Sequence, residues 1–214
     1  MQSIHSPSDP RLILMLPLPA SGALPLRLAW LGAAAGGVCL MLSEALPLNG
    51  VFLKPSTAFT AFMEIQVFFV LLLWPLLLEP LVREGLRPAG VLLEIGLLLV
   101  FAGPLTLVCA DLSDPPLAAV VAAIAFVAAL AAFVAGLVFL GQGRGWRVGP
   151  WYFGGAFLAS TGVPLLAFWG APVSSFRTLS PFWVMAEGPP LFAILLFGVA
   201  GAVALALAQR RPAG

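Results

Sequence analysis

The chain has 214 residues, of which 61% are hydrophobic and only 9% charged, whereas a soluble domain is about 45–50% apolar and about 25% charged. A water-soluble core of this length could not hide so much apolar surface, so the composition excludes an ordinary soluble domain and predicts an integral membrane protein. The net charge is +1 and the basic residues are scattered, so the sequence predicts no nucleic-acid partner.

The first residues differ from the rest of the chain. Met1–Pro10 is polar, and the apolar run Leu12–Leu16 is short and is followed by several prolines. We therefore expect residues 1–25 to be a polar and interfacial segment that lies on the membrane. Cleavage as a signal peptide is the weaker alternative, since that needs an apolar core of about 7–15 residues and a small-residue cleavage site. Residues 26–214 then form one transmembrane domain.

Six stretches are long and apolar enough to cross a membrane, which takes about 20 mainly apolar residues. Proline, glycine and asparagine occupy the gaps between them and end helices by fixing backbone torsions or removing a donor. The sequence therefore predicts an all-α, polytopic membrane protein with a bundle of about six transmembrane helices. In chain order the predicted spans are residues 28–46, 58–78, 91–110, 117–140, 151–170 and 191–208.

Three prolines lie inside predicted spans, namely Pro75, Pro104 and Pro164. Each removes a helical hydrogen bond and tends to kink its helix. The kinks are either fixed features of the bundle, which we favour, or hinges that move during transport.

The distribution of basic residues predicts the orientation. With a cytoplasmic N-terminus and six spans, only Lys54 and Arg177 fall outside. Because cytoplasmic loops carry an excess of lysine and arginine, we expect both termini to be cytoplasmic. The residues that then fall inside are Arg11, Arg27, Arg83, Arg87, Arg144, Arg147, Arg210 and Arg211.

Small residues mark candidate packing faces, because helices in lipid associate through close backbone approach. Gly32 and Gly36 form a GxxxG in the first predicted span. The fourth span offers small residues at the same spacing, and we expect these faces to pack on helices of this chain, a second copy or a partner. The fourth-span positions are Ala125, Ala129, Ala132 and Gly136.

Residues with catalytic or ligating chemistry are scarce. The only histidine is His5, in the polar N-terminal segment, which argues against a bundle haem, a zinc site and histidine-based hydrolysis. Cys39 and Cys109 lack a metal-binding spacing. Asp111 and Asp114 are predicted to lie in a solvated loop. The sequence therefore predicts no enzyme, no catalytic site, no cofactor and no metal.

Acidic and amide side chains cluster near predicted span ends. Glu44, Glu64 and Gln66 lie towards the outer ends of the first two spans, and Glu79 and Glu94 lie near inner ends. An intramembrane carboxylate is by default a functional candidate, but interfacial placement costs little. We expect interfacial positions and keep a polar lining of an outer vestibule, formed by Glu44, Glu64 and Gln66, as the functional alternative.

The second cytoplasmic loop, Glu79–Pro88, carries several charges. Proline at position 80 suits a helix start, and Arg83 follows Glu79 by four residues, a spacing at which side chains pair on a helix. A short surface helix here could dock into a cytoplasmic partner through Glu79, Arg83, Glu84 and Arg87. An ordinary interfacial loop is the alternative.

Six spans, the charged Glu79–Pro88 loop and the stretch Leu179–Glu187 (LSPFWVMAE) before the last helix together form a recognisable pattern. The pattern resembles the permease subunit of an ABC transporter of the small six-helix exporter type, in which a similar SPF or NP stretch commonly precedes the last helix. The resemblance implies a dimer of permease chains in the cell (inner) membrane, driven by a separate cytoplasmic ATPase that pushes on the Glu79–Pro88 loop.

Two functions remain open from the sequence. The first is this ATP-driven permease. The second is a non-catalytic structural or assembly subunit of a larger, for example energy-transducing, membrane complex, which the scarcity of mid-membrane charge favours. A lone transporter or channel is less favoured, because it would usually show buried polar ligands. Membrane lipid and a homo- or hetero-oligomeric partner are expected in each case.

Overall fold

The fold is described by a computed structural model that covers residues 30–35, 58–143, 145, 152, 154, 162 and 180–209. These residues are nearly all helical, and none of them lies in a strand. The helices are α1 (30–35), α2 (Ala58–Arg83), α3 (Pro88–Ser113), α4 (Leu117–Gln142), α5 (Pro181–Glu187) and α6 (Leu191–Gln209).

Helices α2, α3, α4 and α6 are the 4 described helices that are long and apolar enough to cross a membrane. They coincide with the second, third, fourth and sixth predicted spans, and their presence fits a membrane protein. Residues 1–25, most of the predicted spans 28–46 and 151–170, and Pro164 lie outside the described residues.

Helix α2 is interrupted by a π-helical segment, Phe69–Leu73, after which the α-helix resumes at Trp74 and Pro75. A π-helical segment forms hydrogen bonds between residues five apart, not four, and so adds a residue to the turn. Proline at position 75 explains the change here, because its ring nitrogen has no hydrogen to offer the preceding turn.

The C-terminal end of α2 differs from the predicted separate surface helix that starts at Pro80. Pro80 lies inside α2, which continues to Arg83. The helix stops at Gly85, which has φ +97°, and Leu86 N–H donates to the Leu81 carbonyl at 2.9 Å. This Schellman-type closure buries Leu86 beside α2. The continuing apolar face, with Leu78 and Leu81 buried, holds the helix together across the proline.

The connection between α3 and α4 is shorter than predicted. Helix α3 runs to Ser113, so Asp111 belongs to its last turn and not to a loop. Asp114 adopts the left-handed conformation (φ 47°) and ends the helix, and two prolines follow it. The Ser113 hydroxyl accepts the Phe59 N–H at 2.9 Å, which ties the start of α2 to the end of α3.

Helix α4 lies at the centre of the described bundle and packs against α6, α2 and α3. The α4–α6 contact is the closest. Ala129 faces Gly198, Ala132 and Phe133 face Gly201, and Gly136 faces Ala204. Because the residue numbers rise together along both helices, α4 and α6 run parallel.

Candidate functional site

A cavity of about 230 Å³ lies between α1, α2, α3 and α4. Its polar groups come from Trp30, Gln66 and Thr106, one on each of three helices. No charged side chain of the described residues lines it. The apolar part of the lining comes from Met63, Leu99, Ala102, Gly103, Leu107, Val120, Ile124 and Val127.

Gln66 is the most unusual residue of this lining. Its side chain is only 2% exposed, yet among the described residues neither its amide nitrogen nor its carbonyl oxygen has a hydrogen-bond partner. A buried polar group without a partner costs about 1–3 kcal/mol. Leucine or methionine would fill the same position on α2 without that cost, so the two polar atoms of Gln66 are candidates for contact with a bound molecule.

Trp30 places a second unpaired donor at the cavity. Its ring packs edge-on against Phe69, with ring centroids 4.6 Å apart and an interplanar angle of 89°. The indole Nε1–H is buried, and no acceptor for it lies in the part of the chain that the structure describes. On the facing helix, the Thr106 hydroxyl donates to the Ala102 carbonyl at 2.9 Å, which leaves the hydroxyl oxygen able to accept.

This arrangement favours an uncharged guest. The wall is apolar, two donors and one carbonyl oxygen are unsatisfied, and there is no opposite charge to stabilise an ion. Within the described ranges, no group of three or more His, Cys, Asp and Glu side chains lies close enough to hold a metal ion.

The predicted outer lining of Glu44, Glu64 and Gln66 is not a single surface. Glu64 lines a separate, open groove with Phe182, Trp183 and Ala186 of α5, whereas Gln66 faces the cavity. Residues two apart on an α-helix are rotated by about 200° about its axis, so Glu64 and Gln66 face different sides of α2. Glu44 lies outside the described residues.

The predicted coupling residues occupy the C-terminal end of α2 and the turn to α3. Glu79 accepts hydrogen bonds from Arg83 and, at 3.1 Å, from the Gln142 amide at the end of α4. Glu84 and Arg87 are exposed in the turn. Glu79 therefore joins the C-terminal ends of α2 and α4, while Glu84 and Arg87 stay accessible.

Glu94 lies in the second turn of α3, near the helix start. It is fully buried, with 0% of its surface exposed. Its side chain is not left without an interaction partner, so it is a buried and partnered carboxylate near the end of its helix.

The predicted packing residues divide between two situations. Ala129, Ala132 and Gly136 lie at the α4–α6 contact, where a Cβ on Gly136 would approach Ala204 Cβ to 2.6 Å. Ala125 is half-buried on the same helix. Gly32 is exposed, and nothing among the described residues lies within 4 Å of where its Cβ would be; Gly36 lies outside the described residues.

Sequence reasoning missed one buried contact that crosses a long stretch of chain. Tyr152 is the only tyrosine, and its hydroxyl donates to the Leu71 carbonyl at 3.0 Å. In a regular helix that carbonyl would accept from residue 75, but Pro75 has no N–H. The sequence signal for this contact is Pro75 in an apolar helix, because a proline leaves the carbonyl four residues earlier without its usual helical donor.

Helix α5 was also missed inside the predicted outer loop. Ser180 accepts from the Trp183 N–H at 3.5 Å and caps the helix start, and Pro181 occupies the first turn. The dipeptide Ser-Pro is a helix-start signal, and α5 packs on the N-terminal half of α2.

Comparison of the chain with protein-family models, with curated proteins and with solved structures gave no match. Any assignment of function therefore depends on the residues and geometry described above.

Proposed function

We propose that this chain is the membrane-embedded permease subunit of an ATP-driven transporter in the cell (inner) membrane. It works as a dimer with a separate cytoplasmic ATPase, spans the membrane six times and keeps both termini in the cytoplasm. The observation that carries the proposal is the joined inner end of α2 and α4 beside the exposed turn that carries Glu84 and Arg87.

The geometry of that end supports coupling. The turn is closed tightly by Gly85 and Leu86, and Glu79 links it to Arg83 and to Gln142 of α4. A force applied to the turn would act on α2, α3 and α4 together. These three helices also line the cavity at Gln66, so a movement of the turn would move helices that form the cavity wall.

The parallel course of α4 and α6 supports six spans. Two parallel membrane helices require the chain to cross the membrane an odd number of times between them. The predicted span 151–170 supplies one crossing. Trp30 packs on Phe69 of α2, which supports a place in the bundle for the predicted span 28–46. The excess of arginine at the Arg83 and Arg210 ends then supports a cytoplasmic inner side.

Charge reversal in the turn tests the proposal. Glu84→Arg with Arg87→Glu changes only exposed side chains, so we expect normal folding but loss of most ATP-dependent transport in vesicles. Asp111→Arg, an exposed charge at the opposite end of α3, is the matched control and should leave transport intact. Normal transport by the turn variant would reject the coupling role.

A structural or assembly subunit is the second candidate. It is favoured by Gly32, an exposed small residue with no described residue within 4 Å of where its Cβ would be, which could receive a partner helix. In that case the turn variant would assemble normally with its membrane partners and no ATPase would accompany the chain.

A further inference from the structure

We propose that the cavity around Gln66 binds an uncharged molecule about the size of a substituted benzene ring, which carries one hydroxyl or amide group. The inference rests on the proposed function, since it names the class of molecule that such a permease would carry. It begins from the unpaired amide of Gln66, which is buried to within 2% of its surface and faces the cavity.

The size of the cavity limits the guest. An apolar cavity of roughly 150 Å³ binds benzene, and the cavity here is about 230 Å³. A single substituted ring or a short branched chain fits this space, whereas a phospholipid or a peptide does not. The lining by Met63, Leu99 and Ile124 matches an apolar body.

The polar groups specify how the guest is held. Gln66 offers one donor and one acceptor, and Trp30 offers a further donor. A hydroxyl or amide can donate to the Gln66 oxygen and accept from the Trp30 indole at the same time. A purely apolar guest would leave all three atoms unsatisfied, and an ion would find no counter-charge among the described lining residues. The cavity therefore selects a neutral molecule with one group that both donates and accepts.

A fluorinated pair of probes tests this selection. Binding of 4-fluorophenol and of fluorobenzene to the purified chain in lipid nanodiscs can be followed by ¹⁹F NMR, with excess phenol as competitor to subtract partition into lipid. We expect saturable binding of 4-fluorophenol and binding of fluorobenzene that is weaker by roughly tenfold, the value of one buried hydrogen bond.

Gln66→Leu supplies the decisive variant. It removes both polar atoms at nearly constant volume, so we expect roughly tenfold weaker 4-fluorophenol binding, unchanged fluorobenzene binding and a Tm equal to or above that of the wild type. Glu64→Leu, on the opposite side of the same helix, is the matched control and should change neither affinity. A gain in stability together with a loss of binding separates a binding role from a folding role.

The proposal is overturned if the wild-type chain shows no saturable binding of 4-fluorophenol, which would leave water as the occupant, or if Gln66→Leu binds it unchanged. Neither measurement uses nucleotide or an ATPase. Saturable binding by a chain that recruits no ATPase would keep this site and reject the proposed function, whereas recruitment of an ATPase without binding would reject this site alone.

Discussion

The hydrogen bond from Tyr152 to Leu71 links the predicted fifth span to the π-helical segment of α2, and it can be tested by removing one oxygen atom. Tyr152→Phe keeps the ring but leaves the buried Leu71 carbonyl without its donor, which Pro75 cannot replace. We expect a loss of about 1–3 kcal/mol of stability, measured as a lower unfolding midpoint in detergent.

Pro75→Ala provides the matched background. Alanine restores an N–H four residues after Leu71, so the carbonyl gains an alternative donor. The cost of Tyr152→Phe should then shrink in the Pro75→Ala chain, and a double-mutant cycle measures that coupling. Equal costs in both backgrounds would mean that the hydrogen bond at 3.0 Å does not compensate for the proline.

Residue patterns predicted part of the candidate site. The sequence predicts Gln66 near a span end and groups it with Glu64, whereas the structure places Gln66 at the cavity and Glu64 at a separate groove. Trp30 and Thr106 could not be assigned to the same cavity from the sequence, because contacts between helices depend on register and rotation. The sequence around each residue does not encode either quantity.

At the scale of whole elements, the α4–α6 contact depends on glycines. A Cβ on Gly201 would meet the backbone nitrogen of Phe133 at 2.7 Å and the carbonyl carbon of Ala132 at 2.9 Å, and backbone atoms cannot move aside as a side chain can. We expect Gly201→Ala to destabilise the chain by about 1–3 kcal/mol, measured by thermal unfolding in detergent.

Two further variants check that the cause is contact and not the loss of a glycine. Gly96 lies in α3, and no described residue comes within 4 Å of the position that a Cβ would take. Gly96→Ala should therefore keep or slightly raise stability, since alanine favours helix by up to about 1 kcal/mol. Gly136→Ala should be rescued in part by Ala204→Gly, which removes the atom it would meet. A cost for Gly96→Ala equal to that for Gly201→Ala would contradict this explanation.

The helices themselves were largely predictable. Apolar length identified α2, α3, α4 and α6, because lipid-spanning helices must be long and apolar. Their ends were less well predicted at two places. The sequence predicts a helix start at Pro80, but the buried residues Leu78 and Leu81 continue the helix across it. It also predicts a loop at Asp111, but the helix ends only at Asp114.

The whole molecule has a topology that accessibility labelling can test. Single cysteines can replace Asp111 and Gln209 in a chain without Cys39 and Cys109. These positions lie at the C-terminal ends of α3 and α6, which six spans place on opposite sides of the membrane. With six spans we expect a membrane-impermeant thiol reagent to label position 111 from outside the cell and position 209 only in inverted vesicles. Labelling of both from one side would reject the parallel α4–α6 arrangement within a membrane.

The central claim is that this chain serves an ATP-driven transporter, and purification of the tagged chain in a mild detergent, with mass spectrometry of the proteins that accompany it, tests that claim most directly. The account predicts a soluble ATPase in stoichiometric amount, and loss of that ATPase from the Glu84→Arg, Arg87→Glu variant but not from Asp111→Arg. Recovery of several other membrane subunits without any ATPase would contradict the account and identify the chain as an assembly subunit.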